Sequence, residues 1–159
     1  MIAHSQRSTA HSQENRSGKS SSAVLQSGLD ATLQRVESCI AELEKITNEA
    51  EPDSVLISSA RMRIGQANFA RRRSVSDACA HLALFISPAE ARSVRQLQRD
   101  DLETLHLTSR HIQYWTTQAV KEDWHGYCQA FRTLRTRVRE AIGAEKQLLY
   151  PLLRRQMDR

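Results

Sequence analysis

Residues 131–152 read FRTLRTRVREAIGAEKQLLYPL. Phe131, Leu134, Val138, Ile142, Glu145, Leu149 and Leu152 follow one another at three- and four-residue steps, the spacing of a single helical face. The stretch therefore predicts an amphipathic helix with one carboxylate on its apolar stripe. An ionised carboxylate taken out of water is costly unless a cation, a metal or several donors meet it, so Glu145 requires a partner. The cations that the pattern offers are His111, His81, and Arg71, which lies between Asn68 and Val75 on the inner stripe of another helix.

Working outward, the same periodicity predicts three more helices. The first covers 29–49, with Leu29, Leu33, Val36, Ile40, Leu43 and Ile46 inward, Ser27 or Asp30 as cap, and Glu51-Pro52-Asp53 as its stop. The second covers 54–86, capped by Asp53 or Ser54, with Ile57, Ile64, Val75, Ala78, Leu82 and Phe85 inward. Ser87-Pro88-Ala89-Glu90 then combines a capping serine, proline at the first helical position and glutamate three residues after the cap. It opens a third helix over 89–119, which turns Val94, Leu97, Leu105, Ile112 and Trp115 inward. Asp123 caps the fourth, over 123–157, and Pro151 should kink or end it because proline removes a backbone donor.

The 159 residues, 40% of them hydrophobic, suffice for one domain with a real core, and five glycines and three prolines leave little for a strand-and-turn architecture. The expected fold is all-α: an antiparallel four-helix bundle over 28–159, preceded by a Ser-rich tail or linker over 1–27 too poor in apolar residues to order itself. Cys39, Cys79 and Cys128 stand one per predicted helix without paired spacing, as expected of free thiols in a reducing compartment. With no secretory-type apolar stretch at the N-terminus and no run of about eighteen apolar residues to span a membrane, the expected location is cytoplasmic, without a membrane partner.

The formal charge of +5 comes mostly from arginine. Arg92, Arg95 and Arg99 share one helical face and Arg132, Arg135 and Arg139 another, but acids such as Asp100, Asp101, Glu103 and Glu140 answer them. These stripes predict solvated faces with interhelical ion pairs rather than a nucleic-acid surface, since no recognition helix, Gly-rich phosphate loop or aromatic-and-basic strand accompanies them.

Ala141-Ile142-Gly143-Ala144-Glu145, ending in Leu149-Tyr150-Pro151, resembles the last-helix signature of the hemerythrin-like (HHE, cation-binding) family, a His-Ile-x-x-Glu-Glu-x-x-Leu-Phe/Tyr-Pro run. Phe69-Ala70-Arg71 followed by Ala80-His81-Leu82, and Trp124-x-x-Tyr127 before Leu134, extend the resemblance to about residues 55–153. It implies a di-iron centre fed by His from the first helix, His-x-x-x-Glu from the second, His-x-x-x-His from the third, and His plus a carboxylate from the fourth. In this chain the first helix has no His, Phe85 takes the Glu position after His81, Leu107 stands where the partner of His111 would be, and Ala141 replaces the last His. The family positions left for a metal are His81, His111 and Glu145.

No nucleophile elbow, phosphate loop or facing pair of carboxylates accompanies these residues. The resulting expectation is a non-enzymatic regulatory or protein-interaction module without a cofactor, acting through a protein partner or a homo-oligomer. The alternatives are a sensor of oxygen or redox state holding iron or zinc on the three residual positions, and a nucleic-acid-associated helical protein.

Overall fold

The computed structural model describes residues 5–158, with side chains described from residue 21. These residues form five helices and no strand: α1 (Ser5–Thr47), α2 (Ser54–Leu82), α3 (Pro88–Tyr114), α4 (Thr117–Glu122) and α5 (Trp124–Met157). Contacts fix their directions. Ser22 meets His81 and Glu42 meets Arg63, so α1 and α2 run antiparallel; Glu44 meets Arg135 and Asp30 meets Tyr150, so α1 and α5 do too. Glu90 with Arg155 makes α3 antiparallel to α5. α1 packs broadly against α2 and α5, and α3 packs on α5, whereas the backbones of α2 and α3 are held apart and bridged by long side chains.

The core consists of the predicted stripes. Leu33, Val36, Ile40 and Leu43 of α1 meet Ala60 and Ala67 of α2 and Phe131, Val138 and Ile142 of α5, while Leu29, Val75, Ala78, Leu82, Val94, Leu97 and Leu149 close the other half. A third cluster, Ile57, Trp115, Val120 and Tyr127, plugs the end where α4 lies. Ile46, Ile64, Leu105 and Leu134, all expected inside, are only partly buried.

Local signals set most helix ends. Asp53 accepts from the backbone N–H groups of Val55 and Leu56 at 2.9 and 3.0 Å. Ser87 and Glu90 exchange the two hydrogen bonds of a capping box, at 3.3 and 2.8 Å, with Pro88 at the first helical position. The Ser87 backbone N–H, then Arg155, hold the Glu90 carboxyl down at about 2. Asp123 accepts from Gly126 N–H and starts α5.

Four expectations need correction. Residues 21–27, assigned to the tail, are helical, and Ser22 is fully buried while Leu25 packs on the core. Ser27 and Asp30 consequently lie inside α1 and do not cap it. The reading of 1–4 as tail lies outside the described residues, and so do the side chains of 5–20. Second, α2 stops at Leu82 rather than residue 86: the backbone tightens there, the Leu84 and Phe85 N–H groups donating to the His81 and Leu82 carbonyls three residues back, ahead of Ser87-Pro88, and Phe85 is 41% exposed. Third, the predicted helix over 89–119 breaks at Trp115–Thr116: Thr116 adopts extended backbone and its hydroxyl caps α4 by accepting from Ala119 N–H, and Ile112, expected inside, is 49% exposed. Finally, α5 runs through Pro151 to Met157. Pro151 and Gln147, whose carbonyl loses its donor, are both exposed, so water can satisfy that carbonyl.

Candidate functional site

Glu145 is 1% exposed and Arg71 2% exposed, and the two form an ion pair from α5 to α2, Arg71 Nη1 donating to Glu145 Oε1. Arg71 Nη2 donates to Asp101 Oδ1 of α3 at 2.8 Å, and the other Asp101 oxygen accepts from Arg72 Nε, also at 2.8 Å. Two cations thus face two carboxylates across three helices, and the formal charge of the cluster is zero. Two buried atoms in it, Arg71 Nε and Glu145 Oε2, have no partner. Burial pushes the Glu145 carboxyl up; the charge and hydrogen bond of Arg71 oppose this, Asp101 adds to it, and the net direction is upward. The neighbouring Cys79 thiol rises to about 11, first through burial and then through the negative charges of Glu145 and Asp101, so it is no nucleophile at neutral pH.

Of the three cations that the sequence offered to Glu145, Arg71 is therefore the one in contact. His81 Nε2 instead lies 2.9 Å from Ser22 Oγ at the α1–α2 interface, and its ring leans on Phe85. His111 packs between Trp115 and Tyr127, with ring centroids 6.5 and 5.7 Å away. Arg71 and Asp101 mark one level of the molecule. His81 is ten residues above that level on α2, and His111 ten below it on α3, so the two histidines lie roughly 30 Å apart at a rise of 1.5 Å per residue. The residual family positions His81, His111 and Glu145 accordingly do not converge on one metal ion, and among the described residues no group of three His, Cys, Asp or Glu side chains is placed to hold one. Ala141 lines a surface cleft between α3 and α5 with Asp100, Glu103 and Glu140.

The residue that sequence reasoning missed is Asp101. It continues the Val94, Leu97 stripe by four residues, so the argument that turned Glu145 inward also turns Asp101 inward. The arginine stripes divide. Arg135 and Arg139 pair with Glu44, and Arg139 also with Glu37. Arg92, Arg95 and Arg99 lie exposed on α3. All three cysteines are buried and free.

His111 gives the site a pH dependence. Burial, aided by the charge of Arg61, depresses its imidazole to about 4. As pH falls below the ordinary 6.5 the unfolded chain takes up a proton that the folded chain refuses, so the stability due to neutral His111 is present above 6.5 and lost as pH approaches 4. The raised Glu145 has the opposite sign, contributing below its ordinary 4.5 and losing that contribution as pH rises through its folded value. His111→Leu is thus expected to lose less stability between pH 7 and pH 5 than the parent, as read by urea unfolding at both values; equal losses would place the acid sensitivity elsewhere.

No family model, curated protein or solved structure matches this chain.

Proposed function

We propose that the chain is a non-enzymatic regulatory or protein-interaction module, a four-helix bundle of hemerythrin-like design in which the Arg71–Glu145–Asp101 cluster takes the place of a metal centre. The antiparallel neighbours α1–α2, α1–α5 and α3–α5 support the bundle reading, with α4 as an insert before the last long helix. Support for the lost cofactor comes from what the central charged groups do: both Arg71 bonds are made to protein carboxylates, and Glu145 spends its charge on Arg71.

The observation that carries the interaction reading is an apolar stripe on the outer face of α2. Val55, Met62 and Phe69, at 78%, 61% and 73% exposure, repeat every seven residues, opposite the core-facing Ile57, Ile64, Arg71 and Val75. Large apolar side chains left exposed in a row on one helical face offer contact surface to a partner. Ser58, Ser59 and Gln66 lie beside these side chains, with Arg73 one turn beyond Phe69, so a second helix, from a partner or another copy of the chain, can approach closely over the uncharged part of the row.

Sedimentation velocity over a concentration series tests this. The parent should self-associate or, with its protein partner present, form a heteromer, and Phe69→Glu should abolish either without lowering the melting temperature. A protein that stays monomeric at high concentration and recruits no partner through α2 would refute the reading.

A further inference from the structure

Between α2 and α3 the structure contains a window. Two rungs bridge these helices: Arg72 to Asp101 at one level, and Arg61 Nη2 to the Ile112 carbonyl, at 3.3 Å, eleven residues away along α2. Midway between the rungs α2 carries Gly65, and a Cβ built there meets no atom within 4 Å. Behind the window lies a cavity reaching α1 and α5, with ≈ 50 Å³ open to the centres of water-sized spheres. A single water needs about 10–15 Å³ on that measure, so the space admits several waters or one six-membered ring.

The wall chemistry selects between those occupants. Ile40, Leu43, Ile64, Phe131, Leu134 and Val138 offer apolar surface, which gives water few partners. Asn68, also on the wall, carries a buried side-chain oxygen with no hydrogen-bond partner. An unmet buried acceptor is costly and is relieved by a ligand that brings a donor. The charged groups at this level are already engaged, Arg61 on a backbone carbonyl and Arg135 on Glu44, and the apolar walls disfavour an anion.

We propose that this cavity is a binding site for a small neutral aromatic molecule carrying one hydrogen-bond donor, its ring held among the aliphatic side chains and its donor given to Asn68 Oδ1. Entry is through the window that Gly65 leaves open. The site is independent of the outer stripe of α2 and does not rest on the docking role given to that stripe.

Phenol is the probe. In an amide NMR titration it should bind saturably, shifting residues 64, 65, 68, 108 and 111. Benzene, which fits but donates nothing, should bind about tenfold more weakly, the worth of one hydrogen bond. Benzoate should not bind. Gly65→Leu, which replaces a poor helix former with a good one at a position where an added Cβ meets nothing within 4 Å, should abolish binding of phenol and benzene while the fold is retained. Asn68→Leu should bring phenol down to parity with benzene, an effect that simple loss of space would not produce. Absence of saturable shifts with phenol, retained binding in Gly65→Leu, or benzene equal to phenol in the parent would each overturn the proposal, and tighter binding of benzoate would overturn the ligand class.

Discussion

Arg71→Met is expected to destabilise the protein by about 3–5 kcal/mol, the usual cost of removing one partner of a buried ion pair. Arg71 is the only positive charge in contact with Glu145 among the described residues, and it also neutralises Asp101. Its loss leaves two carboxylates at one level of the core, with only Arg72 to answer them. Glu145→Gln should cost less, since Arg71 keeps Asp101, Asp101 keeps Arg72, and the amide preserves shape. The double variant Arg71→Met, Glu145→Leu is more informative. It leaves the exposed-side pair Arg72–Asp101 intact and fills the centre with apolar atoms, so it should recover most of the single-site loss and can reach or exceed parental stability. Urea unfolding of Arg71→Met, Glu145→Leu and the double variant, combined as a double-mutant cycle, measures the coupling directly. Additive losses would mean that the pair does not interact in solution. A parental stability that rises sharply on adding iron or zinc, with Glu145→Gln failing to respond, would favour the metal-sensor reading instead.

The centre of this cluster was legible because spacing alone turned both Glu145 and Arg71 inward: each sits three or four residues from apolar neighbours on a stripe, and a buried acid and a buried base of similar depth find each other. Asp101 was legible by the same rule but was hidden by Asp100. Two adjacent acids point to different faces, and knowing that they diverge does not say which one enters the core until the stripe Val94, Leu97 is carried forward. The start of the packed part of α1 was misplaced for a related reason. Ser22 is seven residues before Leu29 and so on the same face, but a serine gives no hydrophobic signal, and its burial depends on His81 across the interface. The break at Trp115–Thr116 carries no glycine or proline; it is set by the Thr116 cap, a local signal, and by Trp115 and Val120 packing together on Tyr127, tertiary contacts absent from any local pattern. The gap between α2 and α3 is likewise a matter of packing distance, which periodicity does not encode.

Leu149→Ala and Phe69→Ala should differ by several kcal/mol, although both remove a large apolar side chain from a long helix. Leu149 is fully buried, one turn beyond Glu145, among Leu29, Val75, Leu82 and Leu153. Truncating it leaves a cavity as well as losing transfer energy, and about 3–5 kcal/mol is expected. Phe69 is 73% exposed, so its truncation should change the stability of the isolated chain by no more than about 0.5 kcal/mol. Chemical unfolding at low protein concentration separates the two. Repeating it at high concentration adds the decisive comparison: if the α2 stripe is buried by self-association, the parent gains stability with concentration by mass action, and Phe69→Ala loses that gain while Leu149→Ala keeps it. A large cost for Phe69→Ala at low concentration would mean that the stripe is covered within the chain itself, and α2 would then have no free face for a partner.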